Sequence, residues 1–226
     1  MANRADVFSF PLGTVNEKSR ADGQANWLRF KRKGEKMASI RGSKTEKNLL
    51  TAFAGESQAR NRYTFFASQA KKEGLVQIAR LFEETANQEK EHAERLFRFL
   101  EGGPVAIAAT FPAGRVGSTE ENLSAAASGE REEYEHMYPD FTKVANDEGF
   151  GTISAALAAI AIAERHHEER FLALLKELRD GSLFQKKEEI LWECLNCGYL
   201  HRGSAAPDLC PACAHQMSYF VEKRNY

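Results

Sequence analysis

The sequence predicts a mainly α-helical protein, in which a four-helix bundle with one long crossover is followed by a small cysteine-rich unit. Three observations lead to this fold class. Four long stretches carry apolar residues at helical spacing, the connections between them are short, long and short, and all four cysteines lie between Cys194 and Cys213. We therefore expect an N-terminal extension at 1–42, the bundle at 43–181 and the cysteine unit at 190–226.

The first two helices are predicted to form a hairpin. Ser43 and Glu46 have the spacing of a capping box, which marks the start of the first helix. Its apolar stripe consists of Leu49, Ala52, Phe53, Ala59, Tyr63, Phe66, Ala67 and Ala70. The second stripe consists of Ile78, Leu81, Phe82, Thr85, Leu96 and Phe99. Gly74 should lie in the short turn between the helices, and Gly102 should end the second.

The third and fourth helices should form a second hairpin. Ser118 and Glu121 make another capping box, Pro139 should kink or divide the third helix, and Gly181 ends the fourth. The third stripe consists of Leu123, Ala126, Ala127, Met137, Phe141, Val144 and Ala145. The fourth consists of Ile153, Leu157, Ile160, Phe171, Leu174 and Leu178. Two hairpins joined by one long connection are typical of a ferritin-like bundle rather than of a simple up-and-down one.

Seven ionisable residues also lie on these apolar stripes, where an ionised carboxylate loses several kcal/mol of solvation unless it is paired or ligated. They are Glu56, Glu89, His92, Glu130, Glu133, Glu164 and His167. The pattern repeats, since one Glu-x-x-His motif begins 33 residues after Glu56 and another begins 34 residues after Glu130. The i, i+3 spacing puts Glu and His on one helix face. The doubled pattern predicts a two-metal carboxylate site at the bundle centre.

Each part of this pattern has a plainer alternative. A single glutamate on an apolar stripe often pairs with an arginine, and Glu-x-x-His occurs by chance on charged helices. Glu133 and His136 form such a chance match, because no partner lies at the right interval, so we expect His136 at the surface. His166 lies about 100° around the helix from His167 and should also be peripheral.

The cysteines form two Cys-x-x-Cys pairs separated by 12 residues, Cys194 with Cys197 and Cys210 with Cys213. A disulfide-stapled unit is one interpretation. The other is a single metal ion held by four thiolates, which a reducing cytosol favours. Tetrahedral sulfur ligation suits zinc and iron equally well, so the spacing leaves the metal open.

Composition excludes several classes of protein. The longest nearly apolar stretch is 153–163, which is too short for the roughly 20 residues of a membrane-spanning helix. The N-terminus has no apolar segment of a secretory signal, so we expect a cytoplasmic location. Residues 1–43 carry 9 basic and 4 acidic side chains but no nucleic-acid-binding motif, which predicts a disordered, solvated leader rather than a nucleic-acid or membrane contact.

Several motifs resemble those of the rubrerythrin family. They are Phe-Ala-Gly-Glu-Ser-Gln-Ala-Arg at 53–60, Glu-Lys-Glu-His at 89–92, Cys-Leu-Asn-Cys-Gly-Tyr at 194–199 and Cys-Pro-Ala-Cys at 210–213. The resemblance covers about residues 37–226, and residues 1–36 have no counterpart in it. It implies a ferritin-like domain with a non-haem di-iron centre and a C-terminal rubredoxin-like domain with one iron in four thiolates.

The resemblance also implies roles for the site residues. Glu56 and Glu130 would bridge the two irons, and the remaining ligands would be terminal. Tyr63 and Tyr138 match positions at which the family has tyrosines that hydrogen-bond ligand carboxylates, although either residue alone would suit plain packing. One iron would exchange Glu133 for His92 on redox change. These four residues, Glu133, His92, Tyr63 and Tyr138, are therefore the candidates for catalysis.

The activity implied by the resemblance is the reduction of hydrogen peroxide to water, which protects against oxidative stress. Electrons would come from an NAD(P)H-linked reductase or a rubredoxin through the four-thiolate iron, in a homodimer or higher oligomer. The alternatives are a ferroxidase that handles iron as ferritins do, or a structural module with a zinc ribbon. Glu133, which is surplus to a simple ferroxidase set, and the fused cysteine unit favour peroxide reduction.

Overall fold

The structure is a computed structural model that describes residues 38–223, and its helices and strands lie in one compact unit that begins at Ser39. The N-terminal extension expected at 1–42 therefore falls almost wholly outside the described residues. Among the described helices, none is long and apolar enough to cross a membrane.

The predicted ferritin-like bundle is confirmed. Its elements are α1 (Lys44–Lys72), α2 (Val76–Phe97), α3 (Thr119–Glu132), a π-helical turn (Glu133–Met137), α4 (Tyr138–Asp147) and α5 (Gly151–Arg179). Short turns join α1 to α2 and α4 to α5, whereas residues 98–118 form the long crossover between the hairpins.

The interruption expected at Pro139 takes the form of the π-turn, as we call residues 133–137. Pro139 lies at the start of α4, where its missing N–H is tolerated. The N–H of Tyr138 donates to the carbonyl of Glu133, five residues back, so the chain makes one wider turn instead of a sharp kink. Turns of this kind are rare and often occur at functional sites.

The bundle has two apolar clusters with an acidic layer between them. Tyr63, Phe82 and Phe171 lie in one cluster, and Leu49 and Leu157 lie in the other. On α1, α2 and α5, and along the segment from α3 to α4, the core passes from one cluster to the other at a buried glutamate. These glutamates are Glu56, Glu89, Glu130 and Glu164. The carboxylates are thus enclosed by hydrocarbon on both sides along the bundle axis.

Two glutamates cap helices across the hairpins. Glu148, in the turn before α5, accepts hydrogen bonds from the backbone N–H groups of Lys44 and Thr45 at 3.0 and 2.8 Å. Glu73, in the turn after α1, accepts from the N–H of Thr119 at 3.2 Å. Each turn therefore neutralises the N-terminus of the first helix of the other hairpin, where the helix dipole favours negative charge. We call these two glutamates the reciprocal caps.

The cysteine unit is built on a small antiparallel sheet in the order β2-β1-β3. The strands are β1 (Gln185–Cys194), β2 (Leu200–Ala205) and β3 (Phe220–Glu222). Strand β1 starts five residues before the expected boundary at 190, because Phe184 packs against both the bundle core and the core around Trp192. The guanidinium of Arg80 on α2 donates to the carbonyl of Leu195 at 3.0 Å, which fixes the first cysteine pair against the bundle.

Candidate metal centres

The central acidic layer draws one or two side chains from every long helix. Helix α1 supplies Glu56, α2 supplies Glu89 and His92, α3 supplies Glu130, and α5 supplies Glu164 and His167. The four glutamates and His167 are at most 3% exposed, and the side chain of His92 is 18% exposed. The i, i+3 spacing of each Glu-x-x-His motif turns both of its side chains inward, as the periodicity of the sequence predicts.

These side chains form two groups whose potential ligand atoms lie within 4.8 Å of one another. The first group is Glu56, Glu89, His92 and Glu164, and the second is Glu89, Glu130, Glu164 and His167. The structure thus brings together six of the seven residues that lie on the apolar stripes. Two adjacent groups that share members suit a pair of cations.

The shared members are Glu89 and Glu164, whereas the bridging of the metals by Glu56 and Glu130 stays a prediction. Each of the latter belongs to one group only. The reason is a crosswise arrangement of the two motifs. His92 Nδ1 lies 2.9 Å from Glu164 Oε1, and His167 Nδ1 lies 3.0 Å from Glu89 Oε1. Each histidine therefore contacts the glutamate of the other motif as well as that of its own, at 3.2 Å for His92 and Glu89 and at 2.7 Å for His167 and Glu164.

Several buried oxygens of the site accept no well-directed hydrogen bond. They include Glu56 Oε2, Glu130 Oε2 and both carboxylate oxygens of Glu164. Buried polar atoms are almost always satisfied in proteins, and buried charges are paired or ligate metals. The donor set of carboxylate oxygens and imidazole nitrogens is one that iron accepts, so these residues fit a two-iron group.

The pKa values of the buried carboxyl and imidazole groups are shifted because these groups lie close together in the acidic layer. Burial, reinforced by neighbouring carboxylates, raises the pKa of Glu56 well above its usual value and that of Glu130 to about 8. Burial alone would also raise the pKa of Glu89, but hydrogen bonds from His167 and His92 lower it to about 2. Burial opposes charge on the two histidines, yet their carboxylate contacts raise the pKa of His92 to about 9 and that of His167 to about 12. In the metal-free site, protons on these groups thus offset the negative charge that bound cations would otherwise offset.

Two buried tyrosines hold the unshared glutamates. The hydroxyl of Tyr63 donates to Glu130 Oε1, and that of Tyr138 donates to Glu56 Oε1. Burial and the adjacent carboxylates raise the pKa of both phenols well above 10, so the phenols remain protonated donors. The contacts match the geometry that the resemblance implies for these two residues.

Glu133 lies outside both groups. It is half-buried at the start of the π-turn, with its Oε1 close to Gly55, which the ring of Phe111 from the crossover also approaches. Burial and the charges of Glu130 and Glu164 raise its pKa well above the usual value, while Arg62 acts in the opposite sense. The role of Glu133 as a metal ligand therefore stays a prediction.

The two histidines expected at the periphery are exposed. The side chain of His136 is 64% exposed and that of His166 is 67% exposed. His166 nonetheless lines the mouth of a cavity of about 370 Å³ that opens beside His92 and His167. Arg170 lines the same cavity and pairs with Glu84 at 2.8 Å. Sequence patterns gave no sign of this mouth, since a charged outer face of a helix resembles ordinary solvated surface.

The second candidate centre is formed by the four cysteines. All four are free thiols, and their Sγ atoms lie within 4.8 Å of one another, with Cys194 and Cys213 at 3.8 Å and Cys197 and Cys210 at 3.6 Å. These separations are far above a disulfide bond length of about 2.05 Å and suit four sulfurs around one ion. A backbone hydrogen bond from His215 lowers the pKa of the Cys213 thiol to about 6, which favours the thiolate.

Comparison with known proteins agrees with both centres. A sequence model described as rubrerythrin matches residues 47–175, and one described as the rubredoxin-like domain of rubrerythrin matches 192–221. A rubrerythrin of Porphyromonas gingivalis is 60% identical over 88% of this chain and all of its own length. A rubrerythrin of Nitratidesulfovibrio vulgaris is 55% identical over 81% of this chain and 96% of its own length.

A solved structure shows the same architecture. Partially reduced nigerythrin is 31% identical, with a TM-score of 0.54, over 84% of this chain and 96% of its own. The bundle groups and the four cysteines are thus suited to the iron cofactors of a di-iron carboxylate site and a rubredoxin-like site. With its ferritin-like domain, its rubredoxin-like domain and curated relatives that match over nearly their whole length, the chain belongs to the rubrerythrin family.

Proposed function

We propose that this protein is a non-haem di-iron peroxidase that reduces hydrogen peroxide to water, with electrons supplied through the four-cysteine iron. The observation that carries the proposal is the combination of two centres in one chain. A buried group of carboxylates and imidazoles opens to a cavity beside His92, and a four-thiol site stands at the surface with Cys197 exposed. Iron storage needs the first centre but not the second.

The residues of the two groups would hold the irons, with Glu89 and Glu164 shared. When bound, two ferrous ions supply one electron each, so that the O–O bond breaks and two protons from solvent complete two molecules of water. Tyr63 and Tyr138 keep Glu130 and Glu56 in fixed orientations through their hydroxyl groups. The apolar clusters on both sides exclude bulk water from the acidic layer.

Glu133 and His92 are the pair that changes with redox state in this proposal. His92 lies at the cavity edge and is the more exposed of the two histidines, while Glu133 stands outside both groups. A carboxylate favours ferric iron and a neutral imidazole favours ferrous iron. Glu133→Ala should therefore leave iron bound but slow oxidation by peroxide. Unchanged rates would show that Glu133 is only a partly buried acid.

Electrons would reach the bundle either from the cysteine site of the same chain or from the cysteine site of another subunit. Arg80, which binds the carbonyl of Leu195 beside the first cysteine pair, lies nine residues before Glu89 on α2. Nine residues correspond to roughly 13 Å along the helix axis. In the family, a head-to-tail dimer brings the cysteine site of one subunit near the di-iron site of the other. We propose the same exchange here, with an NAD(P)H-linked reductase or a rubredoxin as donor. A reducing compartment such as the cytoplasm suits four cysteines that bind metal.

The test uses two variants of the full chain. Cys213→Ser should abolish steady-state peroxide reduction with a reductase, yet the chemically reduced protein should still be oxidised by peroxide in one turnover. Ser204→Ala, in strand β2 and outside the cysteine groups, serves as the matched control and should behave as the parent chain. Undiminished steady-state turnover of Cys213→Ser would contradict the proposal.

Two further measurements separate the alternatives. Mixed oligomers of Cys213→Ser chains with Glu164→Ala chains should recover turnover if electrons cross between subunits, and should not if they stay within one. Faster oxidation by dioxygen than by peroxide, with ferric iron accumulating in the protein, would assign iron oxidation instead. Zinc in the four-cysteine site after iron-replete growth would remove the redox role of that unit.

A further inference from the structure

Glu168 is a buried carboxylate that belongs to neither metal group. It follows His167 on α5 and is 4% exposed. It lies one residue after His167 and one helical turn after Glu164, but its oxygens contact residues outside the two metal groups. Arg131 Nε donates to its Oε1 at 2.6 Å, and the hydroxyl of Tyr134 donates to its Oε2 at 2.8 Å. Both oxygens are therefore satisfied, and by residues from the segment that packs against α5.

The two partners of Glu168 flank Glu133 in the chain. Arg131 lies in the last turn of α3, and Tyr134 is the second residue of the π-turn. Among the described residues, the bond from Tyr134 to Glu168 is the one side-chain hydrogen bond that joins the π-turn to α5. The ion pair and this bond thus clamp the chain two residues before Glu133 and one residue after it.

A clamp on both sides of Glu133 can hold the π-turn at one position along the helix. It holds one extra residue within an otherwise α-helical segment, and that extra residue can in principle sit at neighbouring positions along the helix. Moving it by one position rotates the intervening side chain by about 100°. The direction of Glu133 therefore depends on the register of the turn, which the hydrogen bond from Tyr138 N–H to the Glu133 carbonyl defines.

We propose that Glu168 is a positioning residue that, through Arg131 and Tyr134, fixes the register of the π-turn and so the direction from which Glu133 approaches the metal groups. The part of the inference that concerns turnover rests on the proposed function, in which Glu133 acts as an exchanging ligand. The register itself is a property of the chain, which can be measured without turnover.

The first measurement is amide hydrogen exchange on the full, iron-loaded chain. Glu168→Gln and Tyr134→Phe each break the clamp, and a hydrogen bond to a charged group is worth a factor of roughly 10 or more. We expect the Tyr138 N–H to exchange at least about tenfold faster in both variants. Glu169→Gln is the matched control, because Glu169 is the next residue and pairs only with surface groups. Unchanged exchange in both clamp variants would overturn the proposal.

The second measurement is a double-mutant cycle with Glu133→Ala. Glu168→Gln should keep its iron and slow single-turnover oxidation by peroxide about tenfold in the parent chain, but add nothing when Glu133 is already absent. Equal slowing in both backgrounds, or loss of iron, would show that Glu168 acts by another route. If the parent chain itself is not oxidised by peroxide, the proposed function fails, while the exchange experiment still decides the role of Glu168.

Discussion

Raising the pH should destabilise the metal-free bundle and leave the iron-loaded one nearly unaffected. The pKa of His92 is about 9 in the folded protein and 6.5 in an unfolded chain. A group whose folded pKa is the higher one stabilises the fold fully below the unfolded value and loses that contribution as the pH rises through the folded value. His167 and Glu130, with folded pKa values of about 12 and about 8, act in the same sense.

The size of the effect follows from His92 alone, which avoids counting one ion pair twice. Its side chain is 18% exposed, so little discount for solvent screening is needed. A shift from 6.5 to about 9 corresponds to about 3 kcal/mol. Since 1 kcal/mol changes the melting temperature of a chain this size by about 2–4 °C, we expect a fall of roughly 6–12 °C between pH 6.5 and 9. Glu89 does not oppose this trend, because its contribution is lost only as the pH falls from 4.5 through about 2.

The assay is thermal unfolding followed by the helical circular dichroism signal, on chelated and on iron-loaded protein at several pH values. Bound cations replace the protons, so iron should flatten the dependence on pH. His92→Ala should reduce the slope of the metal-free protein, whereas His166→Ala, at an exposed histidine, should not. A melting temperature of the metal-free protein that is constant or rises from pH 6.5 to 9 would refute the reasoning.

Three further predictions concern single residues. Glu89→Ala should cost more iron than Glu56→Ala, which removes a ligand from one group only and should leave about one of the two bundle irons, as elemental analysis would show; equal losses would contradict the sharing of Glu89. Ala214 has a φ of 55°, so Ala214→Gly should relieve left-handed strain. The free energy of unfolding of the cysteine unit should rise by up to about 1 kcal/mol, and its melting temperature should rise with it; a lower melting temperature would refute this. Tyr63→Phe should leave Glu130 without its hydroxyl donor and speed loss of iron to a chelator about tenfold; an unchanged rate would assign Tyr63 to packing alone.

Helical periodicity is local, and this is why the sequence could indicate so much of the centre. The spacing from Glu56 to the first Glu-x-x-His motif, repeated from Glu130 to the second, places each side chain on the inner face of its own helix. The positions of the four cysteines are likewise set by two short Cys-x-x-Cys loops. Both patterns need only a few consecutive turns of backbone to be correct.

What the sequence could not indicate depends on how segments meet. That Glu89 and Glu164 are shared follows from the crosswise contact of α2 with α5, which no single stripe encodes. Glu133 begins a π-turn that precedes Pro139, and the regular helical spacing of the stripe does not predict such a turn. Glu168 was overlooked because a charged residue beside a histidine on a charged helix looks solvated, and only its contacts show that it is buried.

The reciprocal caps join the two hairpins at their ends, because each hairpin caps a helix of the other. Glu73 and Glu148 each complete the helix start that the opposite half would otherwise leave with bare N–H donors. Docking of the hairpins therefore depends on the ends of the helices as well as on their apolar faces, and we expect the hairpins to stay together without an intact crossover. A chain cut within it, at Gly114 for instance, should still assemble as a bundle. We therefore expect the crossover to tolerate changes in length and composition as long as Phe111 keeps its position near Gly55.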